Sequence, residues 1–252
     1  MKKPAVKKEA TVVKHPAPAM LPVEERVRSL MAELKRLGSE KRRGEMAARY
    51  GIVTDDAFGV AMGDMQKMAK RAGRDHALAA ALWETGNYEA RMLAALVDEP
   101  AEVTAAQMDQ WCADFDNWAI CDTVCFQLFD RTPHAFSKVE KWSRSKVEFV
   151  RRGAFALLAS LALHDKKAAP AVFAPFLSMI EAAATDDRNF VKKAVNWALR
   201  SIGGRNAGLH QAALAVAERL AASTDRCARW VGSDAVRQLS RAVVLKRLAK
   251  RG

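Results

Sequence analysis

Cysteine is scarce in this sequence: four in 252 residues, at Cys112, Cys121, Cys125 and Cys227. A disulfide scaffold is thereby excluded, since such scaffolds are short chains dense in cysteine. No two cysteines stand in a C-x-x-C spacing. Cys121 and Cys125, four apart, put two thiols on one helix face, short of the four ligands of a structural zinc site. Buried reduced thiols are the simple expectation, with neither metal nor cofactor. Apolar runs of the roughly 18 residues that a membrane span requires are also missing. The longest apolar stretch, about Gly153 to Leu163, suits a buried helix. A glycine-rich phosphate loop is absent, which removes the usual signature of nucleotide hydrolysis. His76, His134, His164 and His210 have no acid or nucleophile at telling spacing, so a triad has no support. Alternating Val/Ile/Thr runs are lacking too, and the class is all-α.

Charge is what the chain has in excess, and its placement is uneven. Lys and Arg number 41 against 29 Asp and Glu, a formal net charge of +12. Residues 1–50 hold 13 basic and 6 acidic side chains, and residues 241–252 hold 5 basic and no acidic ones. Residues 92–130 carry eight acids and no base. By contrast, residues 131–152 carry seven bases and two acids, and residues 188–205 five bases and no acid. Local basic surfaces of this kind suit a phosphate backbone, although a basic helix face can also be merely solvated.

Residues 1–20 mix Lys, Pro and Ala without a period and read as a flexible basic arm. They carry no apolar block or cleavage site of a secretory signal, so a cytoplasmic protein is expected. From Val23 the pattern is helical. Val23, Val27, Leu30, Met31, Leu34 and Leu37 recur at three and four, and Gly38 stops the run. Glu45 to Tyr50 predict a short helix ended by Gly51. Further helices are expected over 62–72, 75–83, 88–98, 104–113, 117–129, 134–142, 147–163, 169–183, 188–202, 208–221 and 227–249. Residues 241–252 form a basic C-terminal tail, leaving a domain over 21–240.

One repeat organises this series. Phe149-Val150-Arg151-Arg152 is echoed 41 residues later by Phe190-Val191-Lys192-Lys193, and Leu158 by Leu199. A helix pair of about 40 residues is the unit of HEAT-like and armadillo-like solenoids. Equivalent residues of successive pairs then share a face, which would set Arg151/Arg152 beside Lys192/Lys193 as two basic rungs.

The stretches "AFGVAMGDMQKMAKRAGRDHALAAALWETGNYEARMLAALVDEP" (57–100), "DNWAICDTVC" (116–125), "EFVRRGAFALLASLAL" (148–163) and "NFVKKAVNWALRSIG" (189–203) resemble the bacterial DNA alkylation repair family. These are the AlkD-like, HEAT-like repeat DNA glycosylases, and the resemblance covers roughly residues 22–240. It implies a helical superhelix with a basic concavity for double-stranded DNA. It further implies excision of cationic N3- and N7-alkylated purines, carried by two tryptophans, an aspartate and a phosphate-binding arginine. An oxocarbenium-like sugar left by the departing base needs a nearby carboxylate, and aromatic rings hold the cationic lesion.

On the matching positions, Trp197 takes one aromatic place and Arg152 the arginine place. The motif Trp-Asp-x-x-Asp, however, reads Cys121-Asp122-Thr123-Val124-Cys125. Cys121 stands where the second tryptophan is expected and Cys125 where the catalytic aspartate is expected. A largely neutral thiol does not replace a carboxylate's charge. Asp122 and Trp118 share a helix face with Cys125 and are the candidate substitutes. Asp122 could aim its carboxylate into the groove, or accept hydrogen bonds from Arg152 as a structural acid; Trp118 could wall the groove or fill the core. Trp83, Trp111, Trp142 and Trp230 are expected to pack between repeats, and Glu89 and Arg91 to be structural. Gly153 suits a close helix approach.

Three functions remain open on this reading. The chain is a glycosylase with Asp122 as the catalytic carboxylate and Trp118, Arg151, Arg152, Lys192, Lys193 and Trp197 on DNA. Alternatively, it is a catalytically silent relative binding damaged or branched DNA, or a protein-binding scaffold. A monomer is expected in each case.

Overall fold

A computed structural model of the protein describes residues 21–250, and every described element is helical. The helices are α1 (Val23–Leu37), α2 (Glu40–Tyr50), α3 (Met62–Ala72), α4 (His76–Trp83) and α5 (Tyr88–Val97). Next come α6 (Ala105–Ala113), α7 (Trp118–Gln127), a 3₁₀ turn (Phe129–Arg131), α8 (Ala135–Trp142) and α9 (Glu148–His164). The series ends with α10 (Pro170–Ala183), α11 (Asn189–Gly203), α12 (Ala207–Ala221), α13 (Arg226–Leu239) and α14 (Ala242–Ala249). The expected N-terminal arm, 1–20, lies outside the described residues.

Side-chain caps set half of the α-helix starts. Asp75, Asn87, Thr104, Asn117, Asn206 and Asp225 each accept a hydrogen bond from a first-turn amide, as N-cap residues do. Ser39 caps α2 in the same way, so that helix begins five residues before the expected Glu45. It ends at Gly51, whose φ of 62° is the left-handed cap that glycine supplies.

Helices α5, α7, α9, α11 and α13 pack side by side, and α4, α8, α10 and α12 each pair with the helix that follows. This is the stacked-pair solenoid that the 41-residue echo predicts. The echo itself is a contact: the Phe149 and Phe190 rings lie 5.3 Å apart, and Leu158 and Leu199 are both fully buried. Helix α9 is the centre of the molecule, buried continuously from Arg152 to Ala162. A helix apolar on all sides has to be enclosed on all sides. A Cβ at Gly153 would lie 3.2 Å from the Cys112 sulfur and 3.6 Å from the Phe115 ring, so glycine is what lets α6 approach α9.

The C-terminal end departs from the expected single helix over 227–249. The chain bends at Ser240 and Arg241, separating α13 from α14. Leu239 and Leu248 are both buried. Nine residues apart, they would face opposite sides of a straight helix, so burying both requires the bend. Most of the expected basic tail is thus a helix, with residues 251–252 outside the described part.

Three of the four tryptophans expected to pack do so. Trp83 and Trp111 stack at 4.0 Å, and the indoles of Trp83 and Trp142 donate to Asp114 and Asp109, each at 2.8 Å. Glu89, also expected to be structural, is fully buried and accepts the amides of Phe58, Gly59 and Val60 at 2.7–3.1 Å. It pins the loop before α3. Arg91 lies 5.1 Å over Trp83 and donates to the Asp114 carbonyl.

Candidate nucleic-acid interface

Helix α7 sorts its residues by face. Trp118 and Asp122, four apart, look outward, while Cys121 and Cys125 look into the core and are fully buried. The Cys125 sulfur lies 3.6 Å from the Gly153 carbonyl, and the Cys121 sulfur 4.0 Å from that of Phe149. Burial pushes the Cys125 thiol well above its ordinary range, and Cys112 likewise, so these sulfurs stay neutral.

Asp122 meets Arg152 as a two-pronged pair: Nε donates to Oδ1 at 3.0 Å and Nη2 to Oδ2 at 2.7 Å. The third prong, Nη1, donates to the Phe190 carbonyl at 2.7 Å. Side-chain exposure is 23% for Asp122 and 7% for Arg152. Burial pushes the Asp122 carboxyl upward and the Arg152 guanidinium opposes it; on Arg152, burial is outweighed by the Asp122 charge, which holds the guanidinium protonated. Arg152 therefore ties α7, α9 and α11 together.

On the other side of Asp122 lies a cavity of about 400 Å³, lined by Tyr50, Met62, Met65, Tyr88, Met92 and Trp118 among others. The Trp118 indole donates to the Tyr50 carbonyl at 2.8 Å, which fixes the ring as a wall of that cavity.

The two basic rungs are neighbours in the fold, but they are not equally open. Arg151 pairs with Asp186 at 3.1 Å, and Asp186 also receives three hydrogen bonds from Arg188, one from its amide and two from its guanidinium. Burial of Asp186 works against its ionisation, yet those arginine contacts hold its carboxyl below the usual range. On α11, Lys193 is exposed and Lys192 sets its Nζ 5.1 Å over the Trp230 ring. Trp230, expected in the core or packed between repeats, is 41% exposed on α13. The sequence held a signal for this: the buried stripe of α13 is Ala228, Val231, Ala235 and Leu239, and Trp230 falls off it. Trp197, half-buried on α11, walls a second hollow together with Lys166, Arg200, Arg205, Arg241 and Arg247. Open positive charge and aromatic surface are thus concentrated on α11, α13 and α14, the composition that a nucleic-acid strand favours.

Two histidine–carboxylate contacts escaped the sequence reading because their partners are distant in the chain. His76 Nδ1 lies 2.7 Å from Asp98, and His164 Nδ1 hydrogen-bonds Asp130. Both aspartates are buried. Among the described residues, no three His, Cys, Asp or Glu side chains converge as a metal site.

Comparison with known proteins fits this geometry. A family model described as "DNA alkylation repair enzyme" matches residues 30–239. No curated protein matches the chain. Among solved structures, one described as a new family of proteins related to the HEAT-like repeat DNA glycosylases, with affinity for branched DNA structures, superposes with a TM-score of 0.73. It is 20% identical, covering 88% of this chain and 95% of that one. A designed armadillo repeat protein in complex with the peptide (KR)4 is 14% identical, covering 75% of this chain and 80% of that one. Its TM-score of 0.37 carries no weight. With the family model spanning most of the chain and a HEAT-like repeat structure superposing on the helices, this protein belongs to the DNA alkylation repair enzyme family.

Proposed function

We propose that this chain is a DNA-binding member of its family that recognises damaged or branched duplexes without excising bases. The observation that carries this reading is the use of the two acid-bearing positions on α7. Cys125 stands in the place of the expected catalytic aspartate and is buried against Gly153. Asp122, on the same helix, is committed to both prongs of Arg152. A carboxylate already neutralised by a guanidinium has little charge left to stabilise an oxocarbenium-like sugar. Binding asks less, namely open cations and stacking surfaces, and Lys192, Lys193, Trp197 and Trp230 supply them. Arg151 and Arg152, already paired with Asp186 and Asp122, contribute by shaping this surface.

One observation favours a second reading, base excision through Asp122. Its carboxyl edges the cavity walled by Trp118 and Tyr88, an aromatic surround suited to a cationic purine. The two readings separate in one experiment. Methylated duplex is incubated with the protein and released 7-methylguanine and 3-methyladenine are measured by mass spectrometry, beside salt-titrated binding to duplex and four-way-junction DNA. Salt-dependent binding without release above the spontaneous rate is the expected result. Release lost in Asp122→Asn would establish excision instead, and the absence of any salt-dependent binding would overturn both.

A further inference from the structure

Helix α2 buries none of its residues, yet the chain on either side of it is firmly anchored. Ser39, its cap, donates its amide to the Phe58 carbonyl at 2.8 Å, so the chain entering α2 meets the loop leaving it. At Gly59, where φ is 78°, a Cβ would collide with the Ser39 carbonyl oxygen and lie 2.9 Å from the Arg43 amide nitrogen. Only glycine permits that approach. The same loop offers the three amides that the buried Glu89 carboxylate holds. At the far end, the Trp118 indole holds the Tyr50 carbonyl, and the Asn87 side chain donates to the Asp56 carboxylate at 2.9 Å. Residues 39–58 thus form a closed loop that carries α2 along one wall of the cavity beside Asp122.

A short helix takes most of its stability from packing an apolar face, and α2 has no buried face to pack. What it has is charge. Lys41, Arg42, Arg43 and Arg49 are all exposed, against the acids Glu40 and Glu45. Glu40 stands 3.5 Å from Arg43 and answers it. Arg49 lies 5.6 Å from the centre of the Tyr50 ring, itself 49% exposed. Among the described residues, no carboxylate pairs with Lys41, Arg42 or Arg49. The position of this charge matters as much as its sign. Arg42, Glu45, Met46 and Tyr50 line the cavity on one side of Asp122, while Arg152 ties Asp122 to α11 on the other. Helices α7, α9 and α11 lie side by side, so α7 and α11 are two steps of roughly 8–10 Å apart. The cations of α2 and of α11 therefore stand on opposite sides of the Asp122–Arg152 pair, a span on the scale of a duplex.

We propose that α2 is a second rim of the DNA interface, whose Lys41, Arg42 and Arg49 hold the phosphate backbone across the Asp122–Arg152 pair from Lys192 and Lys193. The duplex then bridges two rims instead of lying on α11 and α13 alone. A helix held out from the core and carrying unpaired cations fits a polyanion, whose backbone charge it neutralises without reading sequence. It fits a protein partner poorly, since the centre of such an interface is apolar and depleted of charge. This rests on the DNA-binding reading and extends the surface on which the backbone is held.

The test compares salt titrations of duplex binding by the full chain. Lys41→Gln, Arg42→Gln and Arg49→Gln are combined in one variant. Each phosphate contact contributes about 0.9 to the slope of log K against log salt, so the slope should fall by about 2 to 3. Because α2 buries nothing, this variant should melt with the parent. A second variant, Arg42→Lys with Arg49→Lys, keeps the charge and should keep the slope. A control removes three exposed cations of α1, by Arg28→Gln, Lys35→Gln and Arg36→Gln, and should change the slope little. An unchanged slope for the α2 variant, with the parent binding normally, overturns the rim and leaves the proposed function standing. Equal falls in the α2 variant and the α1 control trace the effect to net charge and overturn it as well. A parent protein without salt-dependent binding overturns the rim and the proposed function together.

Discussion

Asp122 and Arg152 face each other across α7 and α9 through two parallel hydrogen bonds of 2.7 and 3.0 Å, largely out of water. The arginine is held there from a third side by the Phe190 carbonyl. The arginine that the family resemblance places in the DNA groove and the carboxylate offered as substitute for the missing aspartate are therefore each other's partners first.

Stability should expose this commitment. Asp122→Asn leaves the Arg152 charge buried without its counter-ion, and breaking such a pair costs about 3 kcal/mol. A urea melt of the variant should show that loss. Arg152→Met added to it should restore a large part, because the stranded charge is gone; equal stability of Asp122→Asn and the parent would refute the pairing as a structural element.

Restoring the expected acid should not restore chemistry. Cys125 has no exposed surface, and its sulfur lies 3.6 Å from a carbonyl oxygen, an acceptor that a carboxylate would oppose. Cys125→Asp is expected to destabilise the fold by about 3 kcal/mol or more. It should give no release of methylated bases, measured by mass spectrometry on whatever fraction stays folded.

Lysine 193 and tryptophan 230 offer a cleaner view of binding, since neither holds the core. Lys193→Ala should weaken duplex affinity uniformly across sequences and reduce the slope of log K against log salt by about 1. Trp230→Ala should weaken single-stranded binding more than it changes that slope. An unaltered slope for Lys193→Ala would remove α11 from the interface.

Acid should unfold the protein partly through Asp109. Burial works against its ionisation, but hydrogen bonds from Lys138, Lys141 and Trp142 outweigh it and hold the carboxyl down at about 2. In the unfolded chain it titrates near 4. A depressed native value contributes stability above the unfolded one and loses it as pH falls from about 4 to about 2. Thermal melts of Asp109→Asn should be less stable at neutral pH and show a flatter decline across that window.

Thiol chemistry gives an inexpensive check of the α7 placement. Cys112, Cys121 and Cys125 are buried and Cys227 is partly exposed. An aromatic disulfide reagent should label one thiol promptly in the native protein and the other three only in denaturant.

Much of the fold was legible because its signals are local. Helix positions follow from apolar spacing at three and four, and the 41-residue echo announced a contact that the Phe149 and Phe190 rings make. The bend at Ser240 was not legible, since no glycine or proline marks it. It arises from the joint burial of Leu239 and Leu248. The exposure of Trp230 was within reach from the stripe of α13, but a tryptophan among apolar neighbours reads as core until its face is assigned. The histidine–aspartate contacts were beyond reach, with partners 22 and 34 residues apart.

The sequence by itself determined the all-helical repeat, the segregation of basic segments, and the thiol where a carboxylate is expected. Periodicity and charge are properties of neighbours along the chain, and they survive without a fold. Only the tertiary structure decided which cations are spent and which are open. Arg151 and Arg152 follow one another in a basic run, yet Asp186 and Asp122, brought from other helices, occupy both. Lys193 and Arg247 belong to equally basic runs, and neither pairs with a carboxylate across the described fold. A charge is neutralised by whatever lies within a few ångströms, and that distance is set by packing between helices, not by sequence order.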